Sequence, residues 1–107
     1  MSERRMSYAA VSVLHAIADG VRYGFDVMDR TELPSGTVYP ALRRMEASGL
    51  VTSAWESAAI AHRDQRPPRK YYDITRSGRI ALADAVERYR LADRLPARVG
   101  KPATSRR

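Results

Sequence analysis

The period of the apolar residues changes twice along this chain, and the change restricts the folds that it can adopt. Before residue 50, apolar side chains recur at steps of three and four, which indicates helices. Segments 50–56 and 69–75 are short and rich in β-branched or aromatic residues, which is typical of strands. The helical spacing returns from Arg76 to Leu95. This order predicts a mainly helical α+β domain, in which three helices precede a two-stranded antiparallel hairpin and a final helix.

Two helices are predicted before residue 34. The first spans Met6 to Ala18, with Ser7 placed to cap its start and Gly20 placed to stop it. The second is shorter, spans Phe25 to Thr31, and ends before Pro34 because proline cannot continue a helix.

The third helix has the clearest pattern. We expect Ser35 to be its N-cap and Gly49 to end it, while Val38, Leu42 and Met45 form an apolar stripe at steps of four and three. Because such a stripe must face the core, the opposite face is left for solvent or for a partner.

That opposite face combines small residues with two arginines. The chain has a net charge of +7, which favours nucleic acid as the partner of this face. Gly36, Pro40 and Ala47 would let the face approach a DNA groove closely, and Arg43 and Arg44 flank them. An arginine can contact either O6 and N7 of guanine or a phosphate, and we assign the bases to Arg43 and the backbone to Arg44. A solvated surface helix has the same pattern, so the pattern alone leaves both readings open.

The start of this helix is a second candidate contact. Pro40 lacks an N–H, which costs little so near the N-terminus of a helix. We expect Ser35 at the cap and the backbone amides of Gly36 and Thr37 to be available to a phosphate at the positive helix end, with Tyr39 beside the passing backbone.

The loop between the two strands is basic. It is expected to be an extended prong stiffened by Pro67 and Pro68, with Asp64 as its only acid. Such a prong suits the phosphate backbone, although an ordinary exposed loop has the same composition. The aromatic residues of the strands are expected to pack, with Trp55 in the core. The basic residues are Arg63, Arg66, Arg69 and Lys70.

Charge and composition limit the class of protein. The 107 residues suffice for one domain, and 19 Lys and Arg against 12 Asp and Glu give a net charge of +7, which attracts nucleic acid.

Several kinds of functional site are not predicted. There is no cysteine, and His15 and His62 are far apart, so neither a thiol nor a metal site is predicted, and a reducing cytoplasm is the expected location. No apolar run approaches the roughly 20 residues of a membrane helix. No catalytic motif is present, so we expect neither an enzyme nor a cofactor.

The last two segments have separate roles. Apolar residues of the final helix exceed what a small core can cover, so we expect two copies of the chain to join through the first and final helices. The residues of the final helix are Leu82, Val86, Tyr89, Leu91 and Leu95. Residues 96–107 hold four basic residues and no acid, and we interpret them as a disordered basic tail that either aids solubility or holds phosphates without reading sequence.

Four segments resemble one family of bacterial transcriptional regulators. Arg22–Val27, Ser35–Glu46, Gly49–Val51 and Pro68–Gly78 occur in the order found in the PadR family, and the likeness covers roughly residues 7–90. With a single helix after the hairpin, the chain is similar to the short subfamily.

The resemblance implies a winged helix-turn-helix domain over residues 1–75 and a dimerisation helix over residues 76–95. It also implies a homodimeric repressor that binds a near-palindromic operator in double-stranded DNA, with the third helix in the major groove and the wing on the backbone. Release by a small, often aromatic or phenolic, ligand or by another signal is implied as well. A winged-helix adaptor that binds only protein is the alternative, since the fold does not fix the function.

Overall fold

A computed structural model describes residues 6–94 of the chain, with side chains for residues 6–90. The predicted fold class is confirmed, with one additional helix between the two strands, and the architecture is a winged helix with a two-stranded antiparallel sheet. The elements are α1 (Tyr8–Ala18), α2 (Gly24–Thr31), α3 (Ser35–Ala47), β1 (Val51–Trp55), α4 (Ala58–Arg63), β2 (Lys70–Ile74) and α5 (Arg76–Arg94).

Helix α1 is capped as predicted and forms one wall of the core. The hydroxyl of Ser7 accepts a hydrogen bond from the amide of Ala10 at 3.1 Å, and Gly20 follows the helix with a φ of 95°. Val13 and Leu14 are completely buried. Burying each such side chain stabilises the fold by roughly 1.5–3 kcal/mol.

Helix α3 lays its predicted stripe on α1 and α2. Val38 and Leu42 are completely buried, and Gly49 adopts the left-handed conformation that ends the segment. The predicted cap was wrong by one residue: Pro34 occupies the N-cap position, makes no side-chain cap hydrogen bond, and leaves Ser35 as the first helical residue. A proline there presets the extended backbone that precedes a helix.

The two strands pair from Val51 opposite Ile74 to Trp55 opposite Lys70. Directly paired residues point to the same side of the sheet, so this face runs from the core to the end of the wing. Tyr72, in its middle, is buried, as predicted for a packing residue. The prediction that Trp55 lies in the core was wrong: its side chain is 67% exposed because the strand extends past the edge of the core.

The connection between the strands is not the extended prong that we predicted. It contains the six-residue helix α4, which begins where the hydroxyl of Ser57 accepts a hydrogen bond from the amide of Ile60 at 3.2 Å. Ala61, on the inner side of this helix, is buried. Prolines 67 and 68 come only after this helix, so they stiffen the return to β2 rather than the whole loop.

Helix α5 joins the domain through a close backbone contact. The hydroxyl of Thr75 donates to the carbonyl of Gly49 at 2.7 Å and accepts from the amide of Gly78 at 3.0 Å. Any side chain on Gly78 would collide with the carbonyl of Leu50. Ala85 is buried farther along, so α5 packs on the domain over several turns.

Some expectations fall outside the described part of the chain. They concern the side chain of Leu91, Leu95 and the basic tail 96–107. The division into domains at residue 75 stays a prediction. Between residues 6 and 94, no helix is both long and apolar enough to cross a bilayer.

Candidate nucleic-acid interface

The outward face of α3 is arranged as the helical periodicity predicts. Arg43, Arg44 and Ala47 are exposed on the side opposite Val38, and Gly36 has open space where a side chain would stand. Neither arginine forms an ion pair with any described residue, so both charges are unneutralised. This face can therefore approach an anionic groove without first breaking an internal contact.

The first turn of α3 differs from the expectation. The amide of Thr37 donates to the carbonyl of Pro34 at 2.9 Å, and the amide of Val38 donates to the same oxygen at 3.0 Å. The amide of Thr37 is thus already satisfied, contrary to our prediction that it is available to a phosphate. Ser35 and Gly36 are exposed at this end of the helix.

Tyr39 has a structural contact that the sequence did not reveal. Its ring lies against the backbone of Gly24 at the start of α2, and burial raises the pKa of its hydroxyl. Pro40 is half-buried beside it. Tyr39 therefore packs α3 against the start of α2. It also lines a cleft between α3 and the wing.

A cleft of about 380 Å³ lies between α3 and the wing. Aromatic and basic side chains dominate its lining, and no carboxylate lines it. It brings Arg43 of α3 to the same cavity as the two basic residues at the start of β2. The lining residues are Tyr23, Gly24, Tyr39, Arg43, Trp55, Pro68, Arg69, Lys70 and Tyr72.

Aromatic rings hold the two wing cations in this cleft. The guanidinium of Arg69 lies 4.5 Å from the ring centroid of Tyr23. The ammonium of Lys70 lies 5.7 Å from the ring of Trp55 and 5.8 Å from that of Tyr72. All three distances are within the range of cation–π attraction. The Nε of Arg69 is buried without a hydrogen-bond partner among the described residues, so stacking and not hydrogen bonding holds that part of the side chain.

Arg66 is engaged inside the wing. Its two terminal nitrogens contact the two carboxylate oxygens of Glu56 at 2.7 and 2.8 Å, and one of them also contacts Asp64 at 3.2 Å. Glu56 is only 7% exposed, accepts a further hydrogen bond from the amide of Arg69, and has a pKa of about 2 because these donors stabilise its charged form. From the sequence, Asp64 was predicted to be the only acid of the wing loop. Glu56, which directly follows β1, is a second acid of the wing that this prediction missed.

Two further arginines of this region differ in their contacts: Arg63 lies at the surface, and Arg22 is held by a carboxylate. Arg63 is 73% exposed, with its Nε 3.6 Å from the carboxylate of Asp64, and remains at the surface. Arg22 donates two hydrogen bonds to Asp73, at 2.8 and 3.0 Å, and lowers the pKa of that carboxyl. This pair joins the segment before α2 to the outside of β2, which gives a structural reason for an arginine beside Tyr23.

Apart from the cleft, α1 and α5 together form an exposed apolar surface. Val86 and Tyr89 of α5 are each 37% exposed, and Tyr8 of α1 is 71% exposed. The rings of Tyr8 and Tyr89 meet edge to face at 5.8 Å, and the hydroxyl of Tyr89 donates to the carbonyl of Met6 at 3.1 Å. Leu82 is instead half-buried against the domain's own core.

Trp55 and Tyr23 are the cleft residues that sequence reasoning missed. Alternation along β1 does place Trp55 on the same side of the sheet as Val51, which is the buried side. The strand continues beyond the point where helices cover that side, and no local pattern marks this point. Across the described residues, no three His, Asp or Glu side chains gather in a way that could hold a metal.

Comparison with known proteins gives one family. Residues 13–84 match the sequence model of the transcriptional regulator PadR-like family. A search of curated proteins found no match.

Several solved structures have a similar fold. A PadR family transcription regulator from Clostridium difficile R20291 is 24% identical, with a TM-score of 0.71, 81% of this chain covered and 92% of that one. A PadR-like transcription factor from Bacteroides fragilis is 22% identical, with a TM-score of 0.67 and coverage of 78% and 82%. BpsR from Bordetella bronchiseptica, whose DNA binding is regulated by 6-hydroxynicotinic acid, is 21% identical, with a TM-score of 0.67 and coverage of 87% and 66%.

Proposed function

Because the chain belongs to the PadR-like family of transcriptional regulators, we propose that it is a homodimeric repressor that binds a near-palindromic operator through α3 and the wing. The family makes it a DNA-binding regulator and not an enzyme. In this proposal α3 lies in the major groove and the wing lies along the adjacent backbone.

The observation that carries the proposal is the charge on the outward face of α3. Arg43 and Arg44 are exposed there, and neither is paired with an acid of the described chain. Gly36 and Ala47 add little bulk between them, so the helix can enter a groove about 12 Å wide. Arg43, which also faces the cleft, is assigned to a base edge, and Arg44 is assigned to the backbone.

The wing supplies the remaining contacts. Arg63, Arg69 and Lys70 are assigned to phosphates, with the exposed Ser35 and Gly36 at the start of α3. We leave Arg66 out of this surface, because contact with a phosphate would require it to leave the nearly buried carboxylate of Glu56.

Two copies of the chain are proposed to meet at the apolar surface of Tyr8, Val86 and Tyr89. A two-fold operator requires a two-fold protein, and these exposed side chains are continuous across α1 and α5. Leu91 and Leu95 are predicted dimer residues from the sequence alone. At 100° per residue they fall about 140° and 180° around the helix from Val86, so they are not part of the surface proposed here.

Release from DNA by a small aromatic ligand, in the cytoplasm, completes the proposal. It rests on the resemblance of the motifs and on the regulation of BpsR by 6-hydroxynicotinic acid.

Footprinting on the promoter upstream of the protein's own gene tests the function. We expect protection of two half-sites about one helical turn apart. If a random duplex is bound and no site on the promoter is protected at the same protein concentration, specific repression of this promoter is wrong. If no duplex is bound at all, the protein-adaptor alternative is preferred.

A further inference from the structure

Among the described residues, each arginine that forms an ion pair is held in place by a carboxylate, and the carboxylate also neutralises its charge. The two cations at the start of β2 are held differently. Arg69 has no ion pair among the described residues, and the ammonium of Lys70 is 4.0 Å from Glu46, at the limit of an ion pair, while that carboxylate accepts a 2.6 Å hydrogen bond from Ser53. The pairs formed elsewhere among the described residues are Arg22–Asp73, Arg30–Asp19, Arg63–Asp64, Arg66–Glu56, Arg66–Asp64, Arg88–Asp84 and Arg90–Glu87.

An aromatic ring can hold a cation without cancelling its charge. The negative face of the ring attracts the cation, but the ring has no net charge, so the field of the cation toward an approaching anion is kept. Lys70 is directly opposite Trp55 in the sheet, and its ammonium lies 5.7 Å from the indole. Packing does not account for this tryptophan, since 67% of its surface is exposed.

The position of the pair indicates which anion it serves. Lys70 and Trp55 line the cleft of about 380 Å³ that also receives Arg43 from α3, and no carboxylate lines that cleft. In the proposed complex, the DNA strand that separates the major groove from the wing passes this cleft. The charge and size of a phosphodiester suit the two wing cations in the wall of the cleft, Arg69 and Lys70.

We propose that the cleft between α3 and the wing binds a phosphate of the DNA backbone, and that Trp55 is a positioning residue that holds Lys70 ready for this contact. The inference rests on the proposed DNA binding. It adds a role for the one tryptophan of the sequence, as a ring that orients a cation and not as a base-stacking or core residue.

Binding to a labelled duplex of random sequence, measured by fluorescence anisotropy between roughly 50 and 200 mM salt, tests the inference. Random sequence isolates phosphate contacts from base reading. Lys70→Gln should weaken binding about eightfold per subunit at 0.1 M salt and lower the salt slope by about 0.9 per subunit, because each phosphate contact contributes that exponent. Trp55→Leu should weaken binding about two- to fivefold, and Trp55→Phe should restore most of the affinity because a ring is kept.

The double variant Trp55→Leu/Lys70→Gln distinguishes positioning from direct contact. If Trp55 acts through Lys70, the double variant binds as Lys70→Gln does. Additive losses, equal losses in Trp55→Leu and Trp55→Phe, or wild-type affinity in Trp55→Leu would each overturn the inference. A wild-type chain that binds no duplex would instead contradict the proposed function itself.

Intrinsic fluorescence provides a second readout and identifies the source of the phosphate. Duplex DNA should change the Trp55 emission of the wild type with saturation, and should change it far less in Lys70→Gln. Inorganic phosphate at matched ionic strength should leave the emission unchanged. If inorganic phosphate produces the saturable change and the duplex does not, the cleft is a site for a small anion and the inference is wrong.

Discussion

The ring of Tyr39 lies directly against the backbone of Gly24: a Cβ built on Gly24 would stand 2.7 Å from Cε1 and 2.8 Å from the hydroxyl oxygen of Tyr39. Real Cβ atoms do not approach so closely. The absence of a side chain at the start of α2 is thus what lets the end of the Tyr39 side chain pack there, and this contact joins the two helices of the helix-turn-helix.

Adding one methyl group at this contact should therefore destabilise the domain. Gly24→Ala should lower the free energy of unfolding by about 1–3 kcal/mol, the usual cost of overpacking, and should weaken DNA binding as α3 shifts. Urea unfolding at a fixed protein concentration measures the first effect. Gly36→Ala is the matched control, because a Cβ there meets open space and should stabilise α3 by up to about 1 kcal/mol. Equal effects of the two variants would contradict the role given to the contact.

Substitutions of the two arginines of α3 should have different effects on DNA binding. Arg43→Ala should cost roughly 1–3 kcal/mol of operator binding and relax the preference at one base pair per half-site, as expected when a bidentate guanine contact is lost. Arg44→Ala should weaken all duplexes and reduce the salt slope by about one per subunit. Titrations on operator and random duplexes at several salt concentrations measure both. Should both variants bind as the wild type does, α3 is not the recognition helix and the adaptor alternative is the better one.

The Glu56–Arg66 pair should make stability depend on acid pH. The pKa of Glu56 is about 2 in the folded protein against an ordinary value of 4.5, so its stabilising effect is complete above pH 4.5 and is lost as the pH falls toward 2. Glu56→Gln should therefore be less stable than the wild type near pH 6, and the difference should shrink between pH 4.5 and 2. Thermal unfolding across this range measures it. Asp84→Asn, which breaks an exposed pair on α5, is the control and should change stability little. A difference that stays constant with pH would show that the charge of Glu56 is not what stabilises the wing.

The apolar surface on α1 and α5 should hold the dimer. Val86→Glu should raise the dimer dissociation constant at least about tenfold, because a charge would have to be desolvated at the interface. Ile80→Glu is the control: Ile80 is 61% exposed on a different side of α5 and should leave the dimer intact. Analytical ultracentrifugation of both variants measures the association. A dimer that tolerates glutamate at residue 86 and not at residue 80 would place the interface on the other side of the helix.

Much of the fold could be predicted because its signals are local. Ser7 and Gly20 mark the ends of α1, and the stripe of Val38 and Leu42 assigns the inner face of α3, since caps and helical periodicity involve residues only a few positions apart. The miss at Trp55 has the opposite cause. Alternation gives the side of the sheet on which a residue lies, but whether anything covers that side depends on elements far away in the sequence.

The sequence by itself determined the order of the elements, the faces that form the core, the excess of positive charge and the family. Only the tertiary structure decided what each positive charge does. In the sequence, Arg66, Arg69 and Lys70 are three equivalent basic residues of one loop. In the fold, Arg66 is neutralised by Glu56, whereas Arg69 and Lys70 rest on aromatic rings and keep their charge toward the cleft. The physical reason is that an ion pair forms only when the two charged groups lie within about 4 Å, so whether a cation is neutralised depends on which groups folding brings within that distance.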